Sequence, residues 1–94
     1  MNADVTVRLY FRSDDGELQD AQQDFGLETF AGFLPAVGDV ILEPGVYKGL
    51  DRRKFENRRL LTVVQRIFNP RDLENYVALV VDESTPTELQ QDIC

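Results

Sequence analysis

The chain has 94 residues and a mass of 10.8 kDa, which suits one compact domain and is too short for two. Hydrophobic residues make up 43% of it and the formal net charge is -7, so a core can form and disorder is not expected. Its longest wholly apolar run, residues 77–81, is far shorter than the roughly 20 residues of a membrane-spanning helix. The first residues lack the basic flank and apolar stretch of a secretion signal. We therefore predict a single soluble, cytoplasmic domain over residues 1–94, with no membrane partner.

Cysteine and histidine usage removes most of the standard catalytic and metal chemistry. Cys94 is the only cysteine, and the chain has no histidine. An intrachain disulfide, a cysteine-cluster metal site, a histidine-ligated zinc and a histidine-activated nucleophile are all excluded. The acidic residues also lack the alternating spacing of a calcium-binding loop. We therefore predict no cofactor, no tightly bound divalent metal and no enzymatic activity.

Charge is distributed in three blocks along the chain. Residues 1–47 hold nine acidic and two basic residues, residues 48–71 hold eight basic and two acidic, and residues 72–94 hold six acidic and none basic. The basic block is compatible with contacts to nucleic-acid phosphates, and the acidic blocks with a basic surface on another protein. A third interpretation is a solvated basic loop that lies against acidic neighbours of its own fold or of a partner subunit. The overall negative charge repels nucleic acid at long range, so that partner ranks lower.

The first predicted element is a half-buried β-strand over residues 5–12. Val5, Val7, Leu9 and Phe11 alternate with polar and aromatic residues, as one buried face of a strand requires. The segment 13–16, Ser-Asp-Asp-Gly, predicts a turn. Residues 17–25 are then expected to return as a polar edge strand paired with the first.

Residues 25–34 fit two alternatives. Leu27, Phe30 and Leu34 have the spacing of one helical turn, whereas Phe25, Leu27, Ala31 and Phe33 fit the alternation of a strand. Glycines at positions 26 and 32 argue against a long helix. Closely spaced aromatic residues in a small domain favour a core role over a ligand pocket.

Residues 35–42 carry the most distinctive local motif. Pro35, Gly38 and Asp39 predict a tight turn that leads into a buried strand over residues 40–42. This Pro-x-Val-Gly-Asp-x-Ile segment resembles the one that opens a strand in many small SH3-like β-barrels. Those barrels include numerous short bacterial proteins, some carried on phages and mobile gene cassettes. The resemblance implies a fold and a genomic setting, and it transfers no catalytic residue.

A basic loop is predicted over residues 46–59, between two strands. Its candidate partner-binding residues are Lys48, Arg52, Arg53, Lys54, Phe55, Arg58 and Arg59. Tyr47 and Phe55 lie among these cations, where their rings either stack on a nucleobase or fold onto the barrel and anchor the loop. No glycine spacing here matches a phosphate-binding loop.

Two further strands are predicted at residues 59–68 and 76–82. Both are apolar on both faces, and the breaker Asn-Pro at 69–70 separates them, so we expect an antiparallel hairpin with a loop of about seven residues. Residues 83–94 are expected to form either a flexible tail or a short helical turn.

Apolarity on both strand faces exceeds what one small barrel interior can bury. We therefore predict a homodimer whose interface uses residues 60–68 and 76–81 and leaves the segment 48–59 exposed. Within the chain, we expect the following core residues: Val7, Leu9, Phe11, Val40, Leu42, Val63, Ile67, Leu79 and Val81.

These patterns predict a mainly β fold, either β or α+β. We expect a small antiparallel SH3-like barrel or a curved sheet of about five strands, with a short C-terminal helical turn. The predicted function is a non-enzymatic interaction module that binds another protein or assembles as an oligomer. Nucleic-acid binding through residues 48–59 is the first alternative, and a small carboxylate-based enzyme or ligand-binding protein is the second.

Overall fold

The computed structural model describes residues 5–43, 48–51, 53–90 and 93, so the predictions for Tyr47, Arg52 and Cys94 lie outside the described residues. Half of the described residues lie in strands, which form one curled sheet in the shape of a half-barrel. The strands are β1 (Thr6–Arg12), β2 (Leu18–Gly26), β3 (Val40–Leu42), β4 (Leu60–Asn69) and β5 (Leu73–Ser84). Three short 3-10 helices accompany them: η1 (Leu27–Phe30), η2 (Phe55–Asn57) and η3 (Glu88–Gln90). The predicted mainly β fold, with about five strands and a short C-terminal helical turn, is confirmed.

The sheet is mixed, with the strand order β2-β1-β5-β4-β3. Three of the four strand pairings are antiparallel, namely β1 with β2, β3 with β4, and β4 with β5, whereas β2 and β3 lie at opposite ends of the sheet. The exception is β1 with β5, which pair parallel from Thr6 opposite Tyr76 to Phe11 opposite Val81. This parallel pair was not among the expectations, because strand periodicity identifies the buried face and carries no information on the direction of the neighbouring strand.

One layer of aliphatic side chains on the inner face of the sheet forms the core. Its buried members are Val7, Leu9, Leu61, Val63, Val77, Leu79 and Val81. The predicted alternation of β1 is thereby confirmed, and five of the nine predicted core residues are buried: Val7, Leu9, Val63, Leu79 and Val81. Phe11 is half-buried and packs against this cluster.

Segment 25–34 closes the core on one side. The chain stays extended to Gly26 and then turns through η1, so both a strand end and a helical turn occur in it. Leu27, Phe30 and Leu34 pack against the core, and the rings of Phe25 and Phe30 meet edge to face with centroids 5.9 Å apart. The core role predicted for these two aromatic rings is confirmed, whereas Phe33 is exposed.

The prediction that Val40 and Leu42 face the core is wrong. Val40 is 54% exposed and Leu42 is half-buried, because the pairing with β4 places Ile41 opposite the buried Leu61. Side chains of directly paired residues point to the same side of a sheet, so Ile41 faces inward and its two neighbours face outward. All three residues of β3 are apolar, so periodicity cannot show whether Ile41 or its two neighbours face the core.

The prediction that Ile67 is buried is also wrong, since it is 44% exposed. A bulge in β4 lets Gln65 pair with Val80 directly after Val63 has paired with Val81. The extra residue shifts the alternation by one, so Ile67 lies on the outer face although Val63 lies on the inner one.

The β4–β5 hairpin is antiparallel, as predicted, but its turn is tighter than expected. Because β5 already begins at Leu73, only residues 70–72 connect the two strands. Within the described ranges, no helix has the length and apolarity needed to cross a bilayer.

Candidate interaction surface

Strand β4 is covered on its β3 side along its first half only. It has ten residues, whereas β3 has three and pairs with Leu60–Thr62. Two further hydrogen bonds extend this pairing to Val63, which accepts from the Gly38 N–H at 2.8 Å and donates to the Asp39 carbonyl at 2.9 Å. Beyond that point, none of the described residues pairs with the segment Gln65–Asn69 on this side. We call this segment the open β4 edge.

The backbone of the open β4 edge presents hydrogen-bonding groups to solvent. Val63 directs its N–H and C=O towards β3, so its partner on β5, Val81, receives no hydrogen bond from it. Because backbone groups alternate along a strand, the adjacent Val80 directs its N–H and C=O towards β4. Gln65, which pairs with Val80, and Ile67 therefore bond to β5. The N–H and C=O groups of Arg66 and Phe68 consequently point away from the sheet.

Apolar and cationic side chains surround these backbone groups. Ile67, Phe68 and Leu73 are 44%, 55% and 52% exposed. The guanidinium of Arg66 lies 5.6 Å from the centroid of the Phe68 ring, within the range of a cation–π contact. The tip of the hairpin thus combines an apolar surface with a strand that no described residue pairs with on its β3 side.

The predicted dimer interface included residues 76–81, of which the single chain leaves Tyr76 and Ala78 half-buried and buries the other four. Val77, Leu79, Val80 and Val81 are each at most 4% exposed within the single chain. Of the predicted interface, the residues classed as exposed are those of the outer half of β4, from Gln65 onward.

The opposite edge of the sheet, β2, has features that hinder strand pairing. Three residues of β2 oppose the single Leu9 of β1, which distorts the strand, and Gln22 has a left-handed backbone with φ of 59°. The Gln22 N–H donates to the Asp20 carboxylate at 2.7 Å and holds this irregularity. Bulges and charged side chains are the usual means by which natural edge strands avoid pairing with other chains.

Arg8 links β1, β2 and β5 on the outer face of the sheet. Its guanidinium donates to both oxygens of Asp20, at 2.7 and 2.9 Å, and to Asp24 at 3.3 Å. The Tyr76 hydroxyl donates to the same Asp24 oxygen at 3.1 Å. The Arg8 hydrogen bonds lower the pKa of Asp20, whereas burial is the main reason why the pKa of Tyr76 is raised. These four side chains hydrogen-bond to one another and thereby tie the three strands together.

A second ion pair joins the ends of β1 and β5. The Arg12 Nε donates to Asp82 at 2.8 Å, and hydrogen bonding to Arg12 lowers the pKa of the Asp82 carboxyl. A cleft of about 610 Å³ opens beside this pair, lined by Arg12, Ser13, Asp14, Gly16, Asp82 and Glu83. A general acid needs a raised pKa to hold its proton near neutral pH, and the pKa of Asp82 is shifted in the other direction.

The predicted partner-binding residues that the structure describes fall into two groups. Lys48, Arg53 and Lys54 are exposed, and none of the ion pairs among the described residues includes them. Asp51 shapes this loop, because its carboxylate accepts from the Arg53 N–H at 2.9 Å. Phe55 is half-buried at the start of η2.

Arg58 and Arg59 belong to the second group, which contacts the chain itself. The Arg58 Nη2 donates to the Glu43 carbonyl at 3.2 Å, and the Arg59 Nη1 pairs with Glu83 at 3.1 Å. These side chains fasten the loop to β3 and β5, which accords with a basic segment lying partly against its own acidic neighbours. The six candidates that the structure describes therefore do not form one continuous exposed surface.

Arg66 and Phe68 of the open β4 edge lie within the predicted dimer interface of residues 60–68, but they are not among the predicted partner-binding residues. The sequence does carry a signal for this edge. Turn residues on both sides limit β3 to Val40–Leu42, and three residues cannot pair with all ten residues of β4. Among the described residues, no group of three or more acidic or cysteine side chains is placed to hold a metal ion. Comparisons with protein-family models, curated proteins and solved structures find no match to this chain.

Proposed function

We propose that this protein is a non-enzymatic interaction module that binds an extended polypeptide strand at the open β4 edge. The main support is that β4 continues past the end of β3, so that the N–H and C=O groups of Arg66 and Phe68 point away from the sheet. Strand addition at such an edge uses main-chain hydrogen bonds for affinity and alternate side chains for specificity.

The contrast between the two edges of the sheet supports this proposal. On the β2 edge, an irregular register, a left-handed residue and charged side chains hinder pairing. The described part of the β4 edge has a regular register from Gln65 to Phe68 and exposes Ile67 and Phe68 instead. A strand that serves only its own fold is expected to carry the same safeguards as β2.

The side chains at the edge define the kind of strand that fits. Arg66 and Phe68 lie on the inner face, since they pair with Leu79 and Val77, and Ile67 lies on the outer face opposite Ala78. An incoming strand therefore meets a cation and an aromatic ring on one side and a β-branched side chain on the other. Aromatic and β-branched cross-strand partners are favoured in this position.

The test uses a fluorescent peptide with the sequence of residues 62–69, flanked by lysines for solubility. We expect saturable binding by fluorescence anisotropy, with NMR amide shifts confined to residues 63–69. A matched control peptide carries N-methyl groups at the positions of Arg66 and Phe68, which removes two backbone donors and keeps every side chain. We expect this control to bind at least tenfold more weakly, because about 1 kcal/mol is lost per hydrogen bond. Equal binding of the two peptides, or no saturable binding, would refute the proposal.

A protein variant gives the complementary control. Arg66→Pro removes a donor that faces solvent and leaves the β5 hydrogen bonds of Gln65 and Ile67 in place. We expect the variant to keep its fold, measured by circular dichroism, and to bind the peptide at least tenfold more weakly. Unchanged peptide binding by a folded Arg66→Pro protein would place the contact elsewhere.

A further inference from the structure

We infer that the strand bound at the open β4 edge is the same edge of a second copy of this chain, arranged antiparallel about a twofold axis at Ile67. This inference rests on the proposed function and names its partner. The resulting dimer joins two five-stranded sheets into one continuous sheet.

The backbone pattern selects this register. Arg66 and Phe68 present the outward N–H and C=O groups, and a twofold axis at Ile67 places each of them opposite the other in the second copy. Two hydrogen-bonded pairs result, which contribute four main-chain hydrogen bonds. Ile67 then meets its own counterpart as a non-hydrogen-bonded pair, the arrangement that brings side chains closest.

The neighbouring registers are less favourable for definite reasons. An axis at Arg66 sets two guanidinium groups directly opposite each other, which is repulsive. An axis at Phe68 sets Arg66 against Pro70, which has no N–H to donate. An axis at Gln65 sets Phe68 against Thr62, whose edge is already occupied by β3.

The side chains are self-complementary in the selected register. Within the chain, the Arg66 guanidinium already lies 5.6 Å from the Phe68 ring centroid. Across the dimer, each Arg66 faces the Phe68 ring of the second copy on the inner side of the sheet. The same cation–π chemistry therefore operates twice across the axis, while the exposed Ile67 side chains cover each other on the outer side.

The experiment is disulfide trapping of full-length protein in a Cys94→Ser background. Ile67→Cys places two thiols at the axis, where a non-hydrogen-bonded pair has Cα atoms about 4.5 Å apart, within disulfide range. The matched control is Gln65→Cys on the same face of the strand, whose two copies are about 13 Å apart along the strands in this register. We expect the Ile67→Cys protein to form covalent dimer at least tenfold faster than the Gln65→Cys protein under mild oxidation. Both substitutions lie at exposed positions, so folding is preserved.

Light scattering of the unmodified chain completes the test. We expect a mass of about twice 10.8 kDa that falls to the monomer value in Arg66→Pro. A monomer at every concentration, or equal trapping at the two positions, would overturn this inference. If the monomer nevertheless binds the residue 62–69 peptide, the proposed function stands with a different partner; if it binds no peptide, both fail.

Discussion

The two edges of this sheet are built from opposite chemistry. The β2 edge is polar, irregular and tied to β1 by Arg8, whose guanidinium contacts Asp20 and Asp24. The outer half of β4 is regular, and its exposed side chains include Ile67 and Phe68. Both edges have an unpaired side among the described residues, but Gln65–Phe68 of β4 keeps a continuous register with β5, whereas β2 is interrupted opposite Leu9 and contains the left-handed Gln22. An incoming strand therefore finds four regularly paired residues on β4 and no comparable stretch around the irregular centre of β2.

The largest expected effect is a difference in the free energy of unfolding between substitutions in the covered half and in the open half of β4. Leu61 has no exposed surface, so Leu61→Ala is expected to lower the free energy of unfolding by about 2–5 kcal/mol. Ile67→Ala removes a similar side chain from an exposed position, and we expect a loss below about 1 kcal/mol. Urea denaturation at the lowest usable protein concentration keeps association out of the comparison. Equal losses would mean that the outer half of β4 contributes to the core after all.

An intermediate effect on stability is expected at low pH, which protonates the Asp20 carboxylate on the β2 edge. The Arg8 hydrogen bonds lower the pKa of Asp20 in the folded state below its unfolded value of about 3.9. The stabilisation is therefore present above about pH 4 and is lost as the pH falls through the folded pKa. Asp20→Asn should be less stable than the unmodified chain at pH 7, and this difference should shrink below about pH 4.

Denaturation of both proteins between about pH 2.5 and pH 7 measures that convergence. The matched control is Asp14→Asn, since Asp14 is exposed and takes part in none of the ion pairs among the described residues. A stability difference between Asp20→Asn and the unmodified chain that stays constant with pH would show that the Arg8 contact does not hold the β2 edge.

The smallest effect is expected where neither edge is involved. Arg53→Glu combined with Lys54→Glu reverses two exposed charges that form no ion pair with a described residue. Surface substitutions of this kind change the free energy of unfolding by about 0.5 kcal/mol or less, and we expect peptide binding at the open β4 edge to stay within twofold. A large loss of peptide binding would identify the basic segment as part of the interface.

Much of the fold was predictable from local patterns. The alternation of β1, the paired β2, the β4–β5 hairpin and the short C-terminal helical turn all follow from side-chain periodicity and turn residues, and the structure confirms them. Such patterns are local because each depends on residues a few positions apart.

The errors share a physical origin in register. A single bulge after Val63 turned Ile67 outward, and the pairing of the short β3 turned Val40 outward. Neither event changes composition or hydrophobicity, so periodicity alone could not reveal it. The candidate site depends on the same information, because an unpaired edge is defined by the length and position of its neighbour strand.

The parallel pairing of β1 with β5 has a consequence for how the chain reaches its fold. It joins position 6 to position 76, so the central contact of the sheet requires the closure of almost the whole chain. During synthesis at about 5–20 residues per second, β1 can pair with β2 early but remains without β5 for on the order of 4–14 s. Contacts of such long range slow folding and prolong the exposure of apolar surface. The apolar face of β1 is therefore a segment that chaperones can bind before β5 has been synthesised.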